Sequence, residues 1–261
     1  MKQPITVPIV AIATLMFLIL PILVVVPMSF SSASSLSFPP NAFSLRWYRA
    51  FFSSDTWLNA MGTSILLACL SSIFAVVLGS LGAYGLRRRE IRFSGALESN
   101  FMAPMVLPTI IAAVAMYIAL GRVGLLGSFI GLVIAHTLLV VPYVIVVMSV
   151  AIRAFDLRLE QVAWTMGASG LTTIRRVVIP LLAPNLAAAW IFAFVGSFDE
   201  VVVTSFIAGT YDTIPKRMFS ELILEISPTI TAVATLLIGF TILSLIGASL
   251  ILRQASRSVA S

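Results

Sequence analysis

The stretch Val123–Ile152, VGLLGSFIGLVIAHTLLVVPYVIVVMSVAI, contains no charged residue. A helix that crosses the hydrocarbon core of a bilayer needs about 20 mostly apolar residues, and this run supplies them with room to spare. Five other charge-free runs surround it: Gln3–Leu45, Thr56–Leu86, Ser99–Gly121, Val177–Phe198 and Ile226–Leu252. Of the 261 residues, 60% are hydrophobic and 10% charged, and the mean hydropathy is +1.09. A water-facing surface needs roughly a quarter of its residues charged, so a soluble globular domain is excluded. The pattern predicts an all-α integral membrane protein, one domain over 1–261, with six transmembrane helices near 6–29, 61–86, 101–120, 127–151, 186–208 and 229–252. The first apolar stretch follows Lys2 as a signal peptide would. It is too long for one and lacks a small-residue cleavage pattern, so it is read as an uncleaved span.

Orientation follows from the basic residues. With the N-terminus in the cytoplasm, that side receives Lys2, Arg87, Arg88, Arg89, Arg92, Arg153, Arg158, Arg175, Arg176, Arg253 and Arg257. The other side receives Arg46, Arg49, Arg122, Lys216 and Arg217. Both termini are therefore expected to be cytoplasmic, and the high pI is a topology signal rather than a nucleic-acid footprint. The Arg87–Arg89 run is topology-setting. Cys69 is the single cysteine, which leaves no disulfide framework and no thiolate metal cluster.

The loop of about 30–60 is rich in Ser and Pro before RWYRAFF, whose Trp47, Tyr48, Phe51 and Phe52 suit a short helix at the headgroup level. Small residues mark the second and fourth spans (Gly79, Ser80, Gly82, Ala83; Gly127, Ser128, Gly131, Ala135) and permit close helix packing in lipid. Pro104 and Pro108 predict a kink in the third span.

The cytoplasmic segment 152–185 is the longest polar insert, and its core reads EQVAWTMGASGLTTIRRVVIP from Glu160 to Pro180. Leu159, Val162, Ala163 and Met166 fall on one face of a short helix. Gly167 sits where a left-handed C-cap is wanted, and Ser169 or Thr172 can cap the next helix. Leu171, Ile174 and Val178 form a second stripe beside Arg175 and Arg176, and Pro180 with Pro184 is expected to end that helix. Periodicity alone fits a helix lying on headgroups as well as a docking hairpin.

This segment resembles the EAA loop of bacterial ATP-binding-cassette importer permeases: Glu-Ala-Ala, three residues, Gly, nine residues, Ile-x-Leu-Pro. Aligned on Gly167, the chain reads Gln161-Val162-Ala163, three residues, Gly167, nine residues, Val177-Val178-Ile179-Pro180. Ala163, Gly167 and Pro180 match in type. Gln161 replaces the motif glutamate, with Glu160 directly before it. The resemblance extends to Leu45–Tyr48, Gly79–Arg88, Pro104–Pro108, Ala135–Thr137 with Pro142–Tyr143, Ser197–Glu200 and Ser227–Pro228. It is nearest to the second permease subunit of spermidine/putrescine systems.

The resemblance implies a type I importer permease of MetI-like architecture in the bacterial inner membrane. It implies a second permease subunit, two copies of a cytoplasmic ATPase that hold ATP and Mg, and an extracytoplasmic solute-binding protein, with no cofactor on this chain. It implies ATPase coupling through Glu160, Gln161, Ala163, Gly167, Ser169, Arg175, Arg176 and Pro180. No GxxxxGK[ST] loop is present, and the lysines are Lys2 and Lys216 alone, so nucleotide chemistry belongs to a partner. Rival cargoes are aminoethylphosphonate, opines, γ-aminobutyrate and ferric iron.

Asp199 and Glu200 fall inside the predicted fifth span, about 20 Å from its cytoplasmic start. A carboxylate there needs water, a partner or a cation. The pair reads either as a pathway site for ammonium groups or as outer-interface residues bridged to Arg122 or Lys216. Glu221 and Glu225 share a helix face and read as surface or gate contacts before solute ligands. His136 has no second ligand at metal spacing and reads as an interhelical hydrogen-bonding group before a solute ligand. A secondary transporter or channel would leave the hairpin unexplained, and an intramembrane enzyme lacks HExxH, GxSxG and an aspartate dyad.

Overall fold

The computed structural model of the chain describes residues 6–87, 94–224 and 227–243. The described residues are mostly helical, with one isolated antiparallel bridge between Ser31 and Phe43. Lys2, Arg88, Arg89, Arg92, Glu225, Arg253, Arg257 and the end of the sixth predicted span lie outside them. Among the described residues, four helices are long and apolar enough to cross a membrane: Val7–Ser29, Asp55–Leu86, Phe129–Ala154 and Gly170–Phe198. A fifth crossing results if one bent pair counts as a span.

Two compact units divide the chain, Met1–Asn59 with Arg217–Gly247, and Ala60–Lys216 with Ala248–Ser261. In the first unit, α1 (Thr6–Ser29) turns large apolar side chains outward along most of its length, as a lipid-facing helix must. The Ser29 hydroxyl meets the Tyr48 hydroxyl at 2.7 Å. The expected short helix is α2 (Arg46–Phe52). Its aromatics do not all face a headgroup layer: Phe51 is buried against Trp57, ring centroids 5.9 Å apart. A phenyl ring with a neighbouring indole to cover it gains more from packing than from an interface. The unit also holds the end of α11 (Ile214–Leu224) and the apolar helix α12 (Thr229–Leu243).

The second unit contains most of α3 (Asp55–Leu86), then α4 (Ser94–Val106), α5 (Thr109–Arg122), α6 (Phe129–Ala154) and α7 (Arg158–Thr165). These are followed by α8 (Gly170–Thr173), a π turn (Ile174–Val178), α9 (Ile179–Phe198) and α10 (Val202–Ile207). The core is built on α6. Val140, Val144 and Met148 pack with Leu182, Ala189 and Ala193 of α9, while Leu132 and Ala135 pack with Ala113 of α5 and Val203 and Ile207 of α10. Ser128 starts α6, its hydroxyl accepting from the Gly131 N–H at 3.0 Å, which supplies a partner to one of the first-turn donors.

Two spans differ from expectation. The third, predicted at 101–120, is not one kinked rod: α4 and α5 meet at a bend of 110°. The break falls at Leu107–Pro108, where proline disfavours helical geometry in the residue before it, whereas Pro104 stays inside α4. The fifth starts earlier than 186, because α8, the π turn and α9 form one continuous 29-residue rod. Pro180 and Pro184 therefore do not end a helix. Pro180 lacks an N–H and its ring crowds the carbonyl four residues back, and the wider π turn directly before it makes room. The same rod stops at Phe198, short of the predicted 208, and α10 is a separate helix.

Close approach of α3 and α6 uses Gly79. A Cβ there would lie 2.8 Å from Val144 side-chain atoms. Gly79→Val should lower the thermal stability of the purified protein by about 1–3 kcal/mol, read as earlier loss of monodispersity on heating in detergent.

Candidate functional site

The insert forms the helix–glycine–helix hairpin that its sequence predicts. Gly167 has φ +85°, and the Ala168 N–H closes on the Ala163 carbonyl at 3.0 Å, so the left-handed residue ends α7 where glycine carries no Cβ penalty. Ser169 then caps α8, its Oγ accepting from the Thr172 N–H at 3.3 Å. Gln161, Ser169, Arg175, Arg176 and Pro180 are exposed and Ala163 is half-buried.

The apolar stripe of α7 does not turn inward as an isolated amphipathic helix would require, and the second stripe does so only in part, with Val178 buried and Ile174 half-buried. Leu159, Val162 and Trp164 are exposed, as are Met166 at 83% and Leu171 at 68%. What α7 buries is its carboxylate. Glu160 is 3% exposed, and its Oε2 accepts from the Tyr84 hydroxyl at 2.8 Å. The position next to the motif's glutamate thus faces the transmembrane body, and the large apolar side chains of α7 face outward. Tyr84 escapes sequence reasoning because nothing in its apolar surroundings marks a partner more than seventy residues away.

A second polar group lies where α6, α9 and α10 meet. His136 is buried, with Nδ1 2.9 Å from Ser197 Oγ and Nε2 3.0 Å from Thr204 Oγ1. Thr204 gives its one hydroxyl proton to the Glu200 carbonyl at 3.0 Å. The His136 contact must then be Nε2–H donating to Thr204, which leaves Nδ1 to accept from Ser197. Such a neutral, fully partnered histidine matches the interhelical reading. The sequence does not reveal its two partners; only the polar island Ser197–Glu200 points toward one of them.

Asp199 and Glu200 occupy the gap between α9 and α10 rather than the middle of a span helix. Asp199 is exposed at the C-terminal end of α9. No ion pair reaches it among the described residues, and Lys216, an expected partner, instead pairs with Asp212 at 2.8 Å. Glu200 is half-buried, and its Oε1 accepts from the Val203 N–H at 2.8 Å. One of its oxygens therefore caps α10, a local duty that sequence reasoning misses.

Glu221 belongs to the other unit. Its carboxylate meets Arg217 Nε at 3.2 Å, and the Arg217 guanidinium lies 5.8 Å from the centre of the Trp57 ring. These three line a cavity of about 550 Å³ together with Trp47. The structure does not describe Glu225, the second half of that predicted acidic face.

Residues 75–257 match the family described as binding-protein-dependent transport system inner membrane component. The chain belongs to that family. It is 30% identical to the spermidine/putrescine transport system permease protein PotC of Escherichia coli (strain K12), over 92% of this chain and 91% of the relative. It is 32% identical to the putrescine transport system permease protein PotI of the same strain, over 85% of this chain and 82% of the relative. Among solved structures it is similar to a bacterial ABC transporter involved in the import of the acidic polysaccharide alginate. The TM-score there is 0.69, with 16% identity over 96% of this chain and 95% of that one. As an inner-membrane permease subunit the chain is non-catalytic, and ATP hydrolysis belongs to a separate chain.

In this permease the His136 network is expected to be structural. His136→Ala should cost about 1–3 kcal/mol by stranding buried hydroxyls, while His136→Gln, which keeps a donor and an acceptor, should retain most of the stability measured by thermal denaturation in detergent.

Proposed function

We propose that this chain is half of the solute pathway of an ATP-driven polyamine importer, serving spermidine or putrescine. The observation that carries this reading is the likeness to two polyamine permeases along nearly the whole chain. Asp199 supports it: an exposed carboxylate without an ion pair among the described residues, at the end of a span-length helix, attracts ammonium groups and repels oxyanions. Six spans form one permease domain with both termini in the cytoplasm. The partners are a second permease subunit, two copies of a cytoplasmic ATPase carrying ATP and Mg, and an extracytoplasmic solute-binding protein. Membrane lipid surrounds the complex, this chain holds no cofactor, and nucleic acid plays no part.

The hairpin is the ATPase's handle. Outward apolar side chains on a segment outside the hydrocarbon mark a protein contact, and here they are Val162, Met166 and Leu171, with Arg175 and Arg176 beside them. Gly167, Ser169 and Pro180 shape that surface, and Gln161 and Ala163 lie on it. Glu160 supports it from within. In the pathway, Asp199 leads; Glu200 and His136 hold its surroundings in place, and Glu221 lies with Arg217 in the other unit.

Asp199→Asn should leave the complex assembled and lower uptake of tritiated spermidine or putrescine in proteoliposomes by roughly tenfold, the effect of about 1.4 kcal/mol. Normal uptake by that variant removes Asp199 from the pathway. Met166→Asp combined with Leu171→Asp should abolish co-purification of the ATPase with the permease, and retention of the ATPase at wild-type stoichiometry defeats the docking assignment.

A further inference from the structure

Among the described residues four helices are of span length, and three of them contain proline. Pro21 and Pro27 interrupt α1, Pro142 lies in α6, and Pro180 with Pro184 lies in the rod that ends at Phe198. The exception is α3, 32 residues without a proline. The absence of proline removes one main cause of sharp bends from it.

Each end of this helix is gripped by a hydrogen bond far from it in sequence. At one end the Tyr84 hydroxyl donates to Glu160 at 2.8 Å, and Arg87 Nη1 donates to the Phe155 carbonyl at 3.1 Å. The helix and the residue after it thus hold the C-cap of α6 and the first turn of α7. Toward the other end Ser64, which is buried, accepts from the Ile214 N–H at 2.7 Å. Ile214 opens α11, so Ser64 satisfies one of that helix's first-turn donors. From Ser64 to Tyr84 the rise is about 30 Å, the thickness of the hydrocarbon core.

Packing joins the same elements: Ala75 and Ala83 of α3 lie in one core cluster with Met148 and Ile152 of α6, Val178 of the π turn and Leu182 of α9. The Tyr84–Glu160 hydrogen bond adds a direct link from α3 to α7. Burying a carboxylate is costly unless it is hydrogen-bonded, which makes the inward turn of Glu160 informative: α7 gives up an exposed charge to make this connection.

We propose that α3 is the lever that carries the hairpin's movement across the bilayer, with Tyr84–Glu160 as its input and Ser64–Ile214 as its output. This rests on the reading of the hairpin as the ATPase's handle. Tyr84, Glu160 and Ser64 are positioning residues: they touch neither solute nor nucleotide in this scheme.

The test uses the full complex in proteoliposomes, with Cys69→Ser to remove the native thiol and Thr210→Cys as a reporter at an exposed turn before Ile214. Thiol labelling is timed without nucleotide and after trapping with ATP and vanadate. In the otherwise unsubstituted complex, trapping changes the labelling rate. Tyr84→Phe and Ser64→Ala should each shrink that change several-fold while the ATPase still co-purifies and hydrolyses ATP. Glu160→Gln, which keeps an acceptor for Tyr84, should retain most of the change, and Glu160→Ala should lose it. A full-sized change in Tyr84→Phe or Ser64→Ala overturns the lever, as does absence of any ATP-dependent change before either bond is cut. Because no solute enters this measurement, it is separate from the cargo assignment, which fails instead if the unsubstituted complex does not import spermidine or putrescine.

Discussion

Hydrocarbon offers no hydrogen bonds, so each backbone N–H and C=O within the membrane must find its partner inside the protein. Long helices meet that demand without help. The demand becomes visible wherever a helix begins or breaks, because the first-turn donors lose their intrahelical acceptors. Here those donors are met by side chains: Ser128 takes the N–H of Gly131, Glu200 that of Val203, and Ser64 that of Ile214. The same rule explains the π turn before Pro180. A proline in an unbroken rod removes a donor and pushes a carbonyl aside, and widening the turn accommodates both without ending the helix.

That constraint also separates the two carboxylates of the Asp199–Glu200 pair. Adjacent in sequence, they differ in what the helix break asks of them. Glu200 spends one oxygen on α10, whereas Asp199 stays exposed at the end of α9. The network around His136 is anchored to the same break through Thr204, which bonds both His136 and the Glu200 carbonyl. A polar junction is thus built at the place where the rod from the hairpin stops. The helices that it joins pack through small residues, with Gly79 admitting Val144 at a distance no side chain would allow.

The hairpin is largely legible in the amino-acid sequence. Gly167 and Ser169 carry their own physical logic, a left-handed terminus and a side-chain cap, and both act over two or three residues. Pro104, Pro108, Pro180 and Pro184 are less legible. Sequence marks each as a difficulty for a helix but not how it is resolved: one bend of 110°, one π turn, and two prolines tolerated inside helices. The apolar stripes of the hairpin are visible as stripes, yet the side that each faces is not written in the periodicity. An amphipathic pattern shows that two faces differ, and the surroundings decide which one is buried.

The class of structure and the family follow from the chain's order of residues alone, because charge-free runs of span length admit only helices in lipid and the glycine and proline spacing of Glu160–Pro180 is local. That order also marks Asp199, Glu200 and His136 as polar groups in apolar company. Helix packing was needed to turn Glu160 inward to Tyr84, to complete the His136 network with Ser197 and Thr204, and to bring Ser64 to the start of α11. Each of those contacts joins segments about sixty to one hundred and fifty residues apart. Hydrogen bonds over such separations depend on how helices pack, and no periodicity along one segment encodes the face of another.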